Sequence, residues 1–497
     1  MDDLEDAIRV TREAVEATPK DSPDRAAVLN NLGNLLGNSY LRTRSMDDLE
    51  EAIRLTREAV EVTPKNSPDR AIRLSNLGAL LGNRHLRIGS MNDLEEAIRV
   101  AREAVDATPK DSPDLAIRLN NLGNVLSNRH SRTGSMNDLE EARRCFNVAL
   151  NHPECPINVR ITAGRQLLSL LDILQEGHRA YLIAKTTIEL VPLLAPPSLQ
   201  NTDKQHLLSQ AVGFASSAAA IALHVGKGPI PAIELLETGR GVLASSLQDM
   251  RTDLSTLHQQ YPELARSFVE LRDQLDPPPS QGILVTDEST RIASEAEADR
   301  RHKASNQMPL LLEKIRGKSG FERFLFSASE AEMREAAVQG PIVILNVSSH
   351  RCDALIVEQS RTRVLELSRL SRQDILDRAE DVQSLETLAW LWDTIVSPVL
   401  ETLGFNKPVS GDSWPHVWWI PTGPLVRFPL HAAGHHLERS SVTALDRVIS
   451  SYSSSIKTII HSRQQWGKKT TAVSSTNIVL IAMQDTPEQK RRQYASD

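Results

Sequence analysis

Residues 46–60 read MDDLEEAIRLTREAV, and closely similar segments begin at Met1, Met91 and Met136. Each of these segments begins 45 residues after the one before it. A fixed period of this length is typical of proteins built from stacked helical units. One such unit cannot bury its apolar side by itself. The repeat therefore predicts an array in which each unit packs on its neighbours.

The apolar residues of one unit recur at helical spacing. An amphipathic helix is predicted with a buried stripe formed by Leu49, Ala52, Ile53, Ala59 and Val60. Glu50, Arg54 and Glu58 follow one another at intervals of four on another face. That spacing is typical of i, i+4 ion pairs on an exposed helix surface.

Proline and serine predict where the helices begin and end. Thr63-Pro64 is expected to end the helix that begins near Met46. Ser67-Pro68-Asp69 then has the order of an N-cap, a first-turn proline and a first-turn acid. A second helix is therefore predicted from there to about Arg87. The same Ser-Pro pair stands at residues 22–23 and 112–113.

The unit resembles the tetratricopeptide repeat. Leu32-Gly33, Ala52, Ala59 and Pro64 match that family's order of Leu-Gly, two small residues seven apart, and a later proline. The family's unit has about 34 residues, so longer connections are expected here. The resemblance implies an α-solenoid of helical hairpins whose first helices line a concave groove. Residue 1 falls in the second helix of a unit, so a truncated N-terminus is expected.

The sequence divides into four regions. Residues 1–150 hold the regular repeats, and residues 151–275 are expected to form degenerate helical hairpins. Residues 276–305 begin with three consecutive prolines after Asp276 and are predicted to be a mobile linker. Residues 306–497 are expected to form an α/β domain, with a polar tail from about residue 487.

Short β-branched runs predict the strands of the last region. Residues 341–347, 354–357 and 364–367 read as a meander of strands separated by polar turns. An amphipathic helix is predicted at about residues 385–403. Further strands are predicted at Val417–Ile420 and Ile478–Ala482.

Several motifs of the second half resemble the CHAT domain, a caspase-like peptidase fold that usually follows tetratricopeptide repeats. They are AIELLETGRG at 232–241, NVS at 346–348, CDAL at 352–355, PTGPL at 421–425, PLHAAG at 429–434 and ISSY at 449–452. The resemblance covers about Ala232 to Met483. In that family the catalytic His lies in a His-Gly motif and the catalytic Cys in a Ser-Ala-Cys motif, and this sequence has neither. An incomplete caspase-like domain without catalytic residues is therefore expected.

The alternative is that the chain is a fragment of a CHAT-type cysteine peptidase that is regulated by its repeats. A thiol nucleophile needs a positioned base, and the thiol considered is Cys352. The candidate bases are His350, His431, His435 and His436. Arg351 is expected to lower the pKa of Cys352 somewhat, but a packed, unreactive thiol is the prediction. His431 and His435 lack the Glu of the H-E-x-x-H motif, so neither a metal nor a cofactor is expected.

The first helices are predicted to present a row of amides to the groove. The positions are Asn30, Asn34, Asn38, Asn83, Asn120, Asn124 and Asn128, interrupted by Ser75 and Ala79. Asn costs roughly half a kcal/mol relative to Ala in a helix, so folding alone would not choose so many. An amide both donates and accepts, so the row is suited to the backbone of an extended peptide.

Two other interpretations bear on this row. The amides would instead stiffen the array if they bonded to one another. Families that clamp a C-terminal carboxylate use Lys and Arg beside such asparagines. The matched positions here lack the Lys, and Arg84 and Arg129 are only adjacent, so no such clamp is expected.

Charge and cysteine content exclude several classes of protein. Lys and Arg number 57 against 64 Asp and Glu, a formal charge of −7 that is spread evenly and disfavours nucleic-acid or membrane partners. Three cysteines are too few for a disulfide framework and fit a cytoplasmic protein. The longest apolar stretch, Ala211–Val225, is too short to span a bilayer. The sequence thus predicts a cytoplasmic, non-enzymatic scaffold that binds a protein or peptide.

Overall fold

The computed structural model describes residues 2–194, 202–240, 254–275, 287–409, 413–436 and 442–469, apart from residues 68, 111, 113 and 255. The first helices are α1 (Asp2–Ala17), α2 (Arg25–Thr43), α3 (Met46–Val62), α4 (Asp69–Ile88), α5 (Met91–Asp106), α6 (Asp114–Thr133), α7 (Met136–Asn151), α8 (Ile157–Ser169) and α9 (Ile173–Leu190). They are followed by α10 (Thr202–His224), α11 (Pro229–Arg240), α12 (Pro262–Leu275) and α13 (Asp287–Arg316).

The C-terminal part combines a mixed sheet with short helices. Its strands are β1 (Ile342–Val347), β2 (Cys352–Val357), β3 (Thr362–Glu366), β4 (His416–Pro421) and β5 (Ile449–Tyr452). The helices are α14 (Glu330–Ala336), α15 (Arg372–Asp377), α16 (Leu385–Leu391), α17 (Ser397–Leu403) and α18 (Ile456–Lys469). A π-helical turn, Trp392–Val396, joins α16 to α17.

The predicted repeat of helical hairpins is confirmed. Helices α3, α5 and α7 begin at Met46, Met91 and Met136, each directly after an N-cap serine whose hydroxyl accepts a hydrogen bond from the third helical residue. All five residues of the predicted apolar stripe of α3 are buried. Helix α3 ends at Val62, directly before the predicted stop at Thr63-Pro64.

The helix starts at the Ser-Pro pairs differ in part from the prediction. Ser67 and Ser112 accept hydrogen bonds from the backbone N–H groups of Asp69 and Asp114. Pro68 and Pro113, predicted at the first helical position, lie outside the described residues. At the first pair Ser22 accepts the same bond from Asp24, but residues 23 and 24 form a turn, so α2 begins at Arg25, two positions later than predicted.

Glycine allows the two helices of a hairpin to touch. A Cβ on Gly33 would overlap Thr56, a Cβ on Gly164 would overlap Thr187, and a Cβ on Gly123 would lie 2.8 Å from the buried Phe146 ring. In each pair the second residue follows the glycine by 23 positions. The close contact therefore sets the register of the two helices in each of these hairpins.

Ion pairs join successive second helices of the array. Their arginine and glutamate are 39 residues apart each time, and the N···O distances are 2.7 Å for Arg12–Glu51, 2.9 Å for Arg57–Glu96 and 2.7 Å for Arg102–Glu141. Another pair, Arg70–Glu103 at 3.0 Å, joins α4 to α5. Exposed pairs contribute about 0–1 kcal/mol each, so they adjust the packing, and the apolar contacts supply the main stabilisation.

The sheet has the order β3-β2-β1-β4-β5. Strands β1, β2 and β3 form the predicted antiparallel meander. On the other side of β1, strand β4 pairs parallel with β1, and β5 pairs parallel with β4. Ile342 and Ile344 belong to the hydrophobic core that continues through the helical hairpins. Val343 and Leu345 point into a second core with α16 and α17, as period-two alternation requires.

Three contacts join the helical hairpins to the C-terminal part of the chain. The Asn346 side-chain amide of β1 donates to the Ser216 carbonyl of α10 at 3.1 Å. Glu237 of α11 accepts hydrogen bonds from the first two backbone N–H groups of α18, at 3.0 and 3.4 Å. Arg323 forms an ion pair with Glu234 at 3.3 Å. The two parts therefore share one packed interior.

The linker predicted at residues 276–305 is helical in its described portion. Helix α13 begins at Asp287, and its Ala304 and Met308 are buried in the main core. Ser305 also donates a hydrogen bond to the carbonyl of Pro153, at 2.9 Å. Low aromatic content suggested a linker, but buried aliphatic residues anchor this helix. Residues 276–286, the predicted strand Ile478–Ala482 and the polar tail lie outside the described residues.

We expect Gly123→Ala to destabilise the protein, because its methyl group would press on the Phe146 ring. Overpacking of this kind costs about 1–3 kcal/mol, against a gain of about 1 kcal/mol from replacing Gly in a helix. Gly213→Ala in α10 is the matched control, since no atom lies within 4 Å of its Cβ position. Thermal unfolding followed by circular dichroism should show a lower midpoint for the first variant and a raised one for the second. Equal shifts would contradict the close contact.

Candidate functional site

Some of the predicted groove asparagines lie between helices. The Asn76 amide donates to Asn30 Oδ1 at 3.0 Å, and the Asn121 amide donates to Ser75 Oγ at 2.9 Å. Both bonds join residues 46 apart and so connect the first helices of successive hairpins. We call these bonds and the matching position at Asn120 the amide ladder.

The amide ladder buries three of the nine positions assigned to the groove. Asn30, Ser75 and Asn120 are 8%, 2% and 7% exposed. Each stands three residues before the first glycine of its helix. The ladder partners of Asn30 and Ser75, which are Asn76 and Asn121, stand two residues before the first glycine of the next helix. For Asn30 and Ser75 the alternative interpretation, side chains that stiffen the array by bonding to one another, describes the contacts found.

The remaining predicted asparagines face outward. Asn38 is exposed, and four others are half-buried, namely Asn34, Asn83, Asn124 and Asn128. None of the five side chains forms a hydrogen bond with another described residue. Their amides can therefore donate to and accept from a ligand, without first breaking a contact inside the protein.

The amide ladder ends at Asn120. Its Oδ1 is buried and has no hydrogen-bond partner among the described residues. In the fourth hairpin, Thr162 holds the place that Asn76 and Asn121 hold in theirs, two residues before the glycine. Thr162 donates its hydroxyl hydrogen to the carbonyl of Asn158 at 2.9 Å, so it has none left for Asn120.

Sequence reasoning missed the donors of the amide ladder. Asn76 and Asn121 were not singled out, although each directly follows an assigned groove position. The signal was the doublet that recurs every 45 residues as Asn30-Asn31, Ser75-Asn76 and Asn120-Asn121. Adjacent residues on a helix face directions about 100° apart, so one member of a doublet can face the next helix while the other faces the preceding one.

Arg84 and Arg129 are each held by a carboxylate within their own hairpin. Arg84 contacts both carboxylate oxygens of Asp93 at 2.5 and 2.8 Å, and Arg129 contacts Asp138 at 2.6 and 2.8 Å. The arginine hydrogen bond lowers the pKa of each aspartate. Both guanidinium groups are thus already paired, which agrees with the expectation that they do not clamp a ligand carboxylate.

Cys352 lies in an environment that disfavours the thiolate. It is 4% exposed at the start of β2, and burial raises the pKa of its thiol. The expectation that Arg351 lowers this pKa is wrong, because its guanidinium pairs with Asp353 at 2.5 Å and Glu366 at 3.1 Å. Cys352 therefore lacks the lowered thiol pKa that a cysteine nucleophile needs.

The candidate histidines contact separate partners. His431 Nδ1 lies 3.0 Å from the Tyr452 hydroxyl, His435 Nε2 lies 2.9 Å from Asp393 Oδ1, and His436 Nε2 lies 2.7 Å from the Ala432 carbonyl oxygen. Only residues 430–432 are helical there, as one 3-10 turn, so i, i+4 spacing does not bring His431 and His435 together on a helix face. Within the described ranges, no group of three metal-binding side chains occurs.

Comparison with known proteins supports the resemblance of the regular hairpins to the tetratricopeptide repeat. Residues 25–69, 70–114 and 115–154 each match the family model of the tetratricopeptide repeat, and each match contains one hairpin. No curated protein matches the chain. The sheet-containing region has no family match, so the caspase-like fold is not confirmed. Among the helices described, none combines the length and the apolar character needed to cross a membrane.

Replacing Asp93 and Asp138 by Asn should destabilise the array, because each substitution removes the carboxylate that accepts two hydrogen bonds from Arg84 or Arg129. Hydrogen bonds to charged groups contribute about 1.5–3 kcal/mol. An aspartate with a lowered pKa stabilises the fold fully above its unfolded pKa, and this contribution disappears as the pH falls through the lower, folded pKa. Wild type should therefore lose stability more steeply than the double variant below about pH 4.

Urea unfolding of both proteins between neutral and acid pH would measure this difference. Asp48→Asn is the matched control. In the first hairpin, Ser39 stands at the position that Arg84 and Arg129 hold in the next two, and its neutral hydroxyl contacts Asp48 at 2.7 Å. Parallel pH profiles for wild type and the double variant would contradict the assignment.

The thiols should react slowly in the folded protein. All three cysteines are buried, and burial raises the pKa of Cys145 to about 11. Iodoacetamide at neutral pH should therefore modify Cys352 and Cys145 at least tenfold more slowly than in urea-unfolded protein, as read by mass spectrometry. Fast labelling of Cys352 that is lost in His350→Ala or His431→Ala would instead indicate an activated nucleophile.

Proposed function

We propose that this chain is a protein-interaction scaffold whose repeat array binds an extended peptide segment of a partner protein. The observation that carries the proposal is the set of outward-facing asparagines on α2, α4 and α6, namely Asn34, Asn38, Asn83, Asn124 and Asn128. The tetratricopeptide repeat matches support the broader role in protein binding.

The chemistry of these amides suits a peptide backbone. Each side chain offers a donor and an acceptor, and an extended peptide offers N–H and C=O groups along its whole length. Asn34 and Asn38 lie one helical turn apart, about 5–6 Å, which is close to the spacing of every second residue in an extended strand. Binding of this type places little demand on the side chains of the ligand.

The helical environment makes these asparagines difficult to explain by folding alone. Each costs roughly half a kcal/mol relative to Ala in a helix. Asn30 returns part of that cost through the amide ladder, but the five outward-facing residues make no compensating bond with the described residues. A ligand that occupies their amides would account for them.

We further propose that the sheet-containing region is a caspase-like domain that lacks catalytic function. The chain has no His-Gly or Ser-Ala-Cys motif. Cys352, the thiol considered as a substitute, is buried with a raised pKa. No observation on the described residues favours the alternative, a fragment of a cysteine peptidase. The region would then serve to hold the repeat array through Glu237 and Asn346.

A selected peptide tests the groove. A peptide binder would first be selected from a random 12-residue library on the full chain, and its affinity then measured for Asn34→Ala/Asn124→Ala. Each lost hydrogen bond contributes about 0.5–1.5 kcal/mol, so the loss of two should weaken binding at least about fivefold with an unchanged midpoint of thermal unfolding. N-methylation of the peptide backbone should weaken binding similarly.

Asn76→Ala is the matched control for this experiment. It removes one bond of the amide ladder and should lower the unfolding midpoint while leaving the peptide affinity within about twofold. Unchanged binding by Asn34→Ala/Asn124→Ala together with altered stability would mean that the outward-facing asparagines are structural as well.

A further inference from the structure

A second surface lies where the two helices of each regular hairpin join. We call it the loop edge, and it consists of Leu41, Arg44, Leu86, Arg87, Ile88 and Arg132. These residues lie at the ends of α2, α4 and α6 or directly after them. Leu41, Leu86 and Ile88 are 50%, 65% and 59% exposed. Large aliphatic side chains exposed side by side in successive repeats are typical of contact surfaces.

Arg87 and Arg132 differ from most arginines of the array. Arg57, Arg84 and Arg102 are each matched to a carboxylate, as described above. Arg87 and Arg132 form no ion pair or hydrogen bond with any residue in the described part of the chain. They are 45 residues apart, so the same charge is presented by successive repeats.

The acids of this edge do not neutralise the two arginines. The first loop is followed by Asp47, but the matching positions in the next two hairpins are Asn92 and Asn137. The acids one residue later, Asp93 and Asp138, are bound by Arg84 and Arg129. The second and third loops therefore carry a net positive charge, and the exposed aliphatic residues lie on the first and second loops.

The loops are held in fixed conformations. His85 Nδ1 lies 2.7 Å from the Ser90 carbonyl oxygen, and His130 Nδ1 lies 2.9 Å from that of Ser135. Gly89 adopts a left-handed conformation with φ of +74°, and its N–H donates to the His85 carbonyl at 2.7 Å. A surface that is already ordered loses little conformational entropy when it binds a partner.

Neighbouring loops form one continuous surface. A Cβ on Gly89 would lie 3.5 Å from Arg132 Nη2, so the guanidinium group of the third hairpin reaches the loop of the second. First helices that pack side by side are separated by about 10 Å. An extended peptide advances about 3.3 Å per residue, so every third residue meets the next hairpin.

We propose that the loop edge binds an extended acidic segment of a partner protein, in which a carboxylate and an aliphatic residue recur about every third position. The carboxylates pair with Arg87 and Arg132, and the aliphatic side chains cover Leu86 and Ile88. This surface is separate from the groove asparagines and does not depend on peptide binding there. An anionic membrane is the weaker candidate, because a chain with a formal charge of −7 is repelled by a broad negative surface.

A defined peptide tests the proposal on the full chain. The probe is fluorescein-labelled (Ser-Leu-Glu) repeated four times, and its control is the same peptide with Gln in place of Glu. Fluorescence anisotropy should show that the Glu peptide binds at least about fivefold more tightly at low salt, and that this difference decreases with added salt.

Two charge reversals locate the site. Arg87→Glu/Arg132→Glu should weaken binding of the Glu peptide about tenfold, since attraction becomes repulsion at two positions. Lys65→Glu/Lys110→Glu, on the opposite loops of the array, is the matched control and should leave the affinity within about twofold. Circular dichroism would verify that both variants remain folded.

Three results would overturn the proposal. These are equal binding of the Glu and Gln peptides, equal effects of the two double variants, and stronger retention of the chain by vesicles that contain phosphatidylserine than by the Glu peptide. The last result would assign the loop edge to a membrane surface. Asn34→Ala/Asn124→Ala should bind the Glu peptide normally, so failure of the groove proposal and failure of this one are distinguishable.

Discussion

The contact between a glycine and the residue 23 positions later is the constraint on which the described array depends. At Gly123 the Phe146 ring occupies the space that any Cβ would need. Such an approach lets apolar stripes interdigitate at interior density, and it allows only one axial register of the two helices. The loop positions, the ion pairs between hairpins and the direction of each asparagine all follow from that register.

Variation among the repeats supports this dependence, since residues that touch change together. Arg70 and Glu103 form an ion pair in the second hairpin, and the matching third-hairpin positions are Leu115 and Val148, both apolar. Loss of only one partner would leave a charge without compensation. Because both members are exchanged, neither charge is left without its partner.

The sequence predicted the regular parts of the fold because their patterns recur or alternate. The 45-residue period located α3, α5 and α7, and the β-branched runs located β1 and β2. Contacts between distant residues were less predictable. The bond between Asn30 and Asn76 depends on how adjacent helices face each other, and the pairing of Arg351 with Glu366 depends on strand register.

The same difference explains the outcome for the candidate site. A spacing of four residues predicts that these asparagines share one side of each helix, but that side is wide enough to include both an open face and a contact with the next helix. Asn34 and Asn30 lie on these two parts of it. Burial of an amide could be inferred only from a donor that accompanies it, as Asn76 does for Asn30.

The end of the amide ladder coincides with a change in what the helices pack against. At Asn120 the ladder leaves a buried acceptor that no described residue satisfies, at a cost of about 1–3 kcal/mol, because Thr162 bonds within its own helix. From α8 onward the helices pack increasingly against one another and the sheet, as the contacts of Glu237 and Asn346 illustrate. Outward-facing asparagines and regular loops therefore belong to the first three hairpins. The surfaces proposed for partners lie on the part of the array whose register repeats, where equivalent side chains recur at a constant spacing that an extended ligand can match.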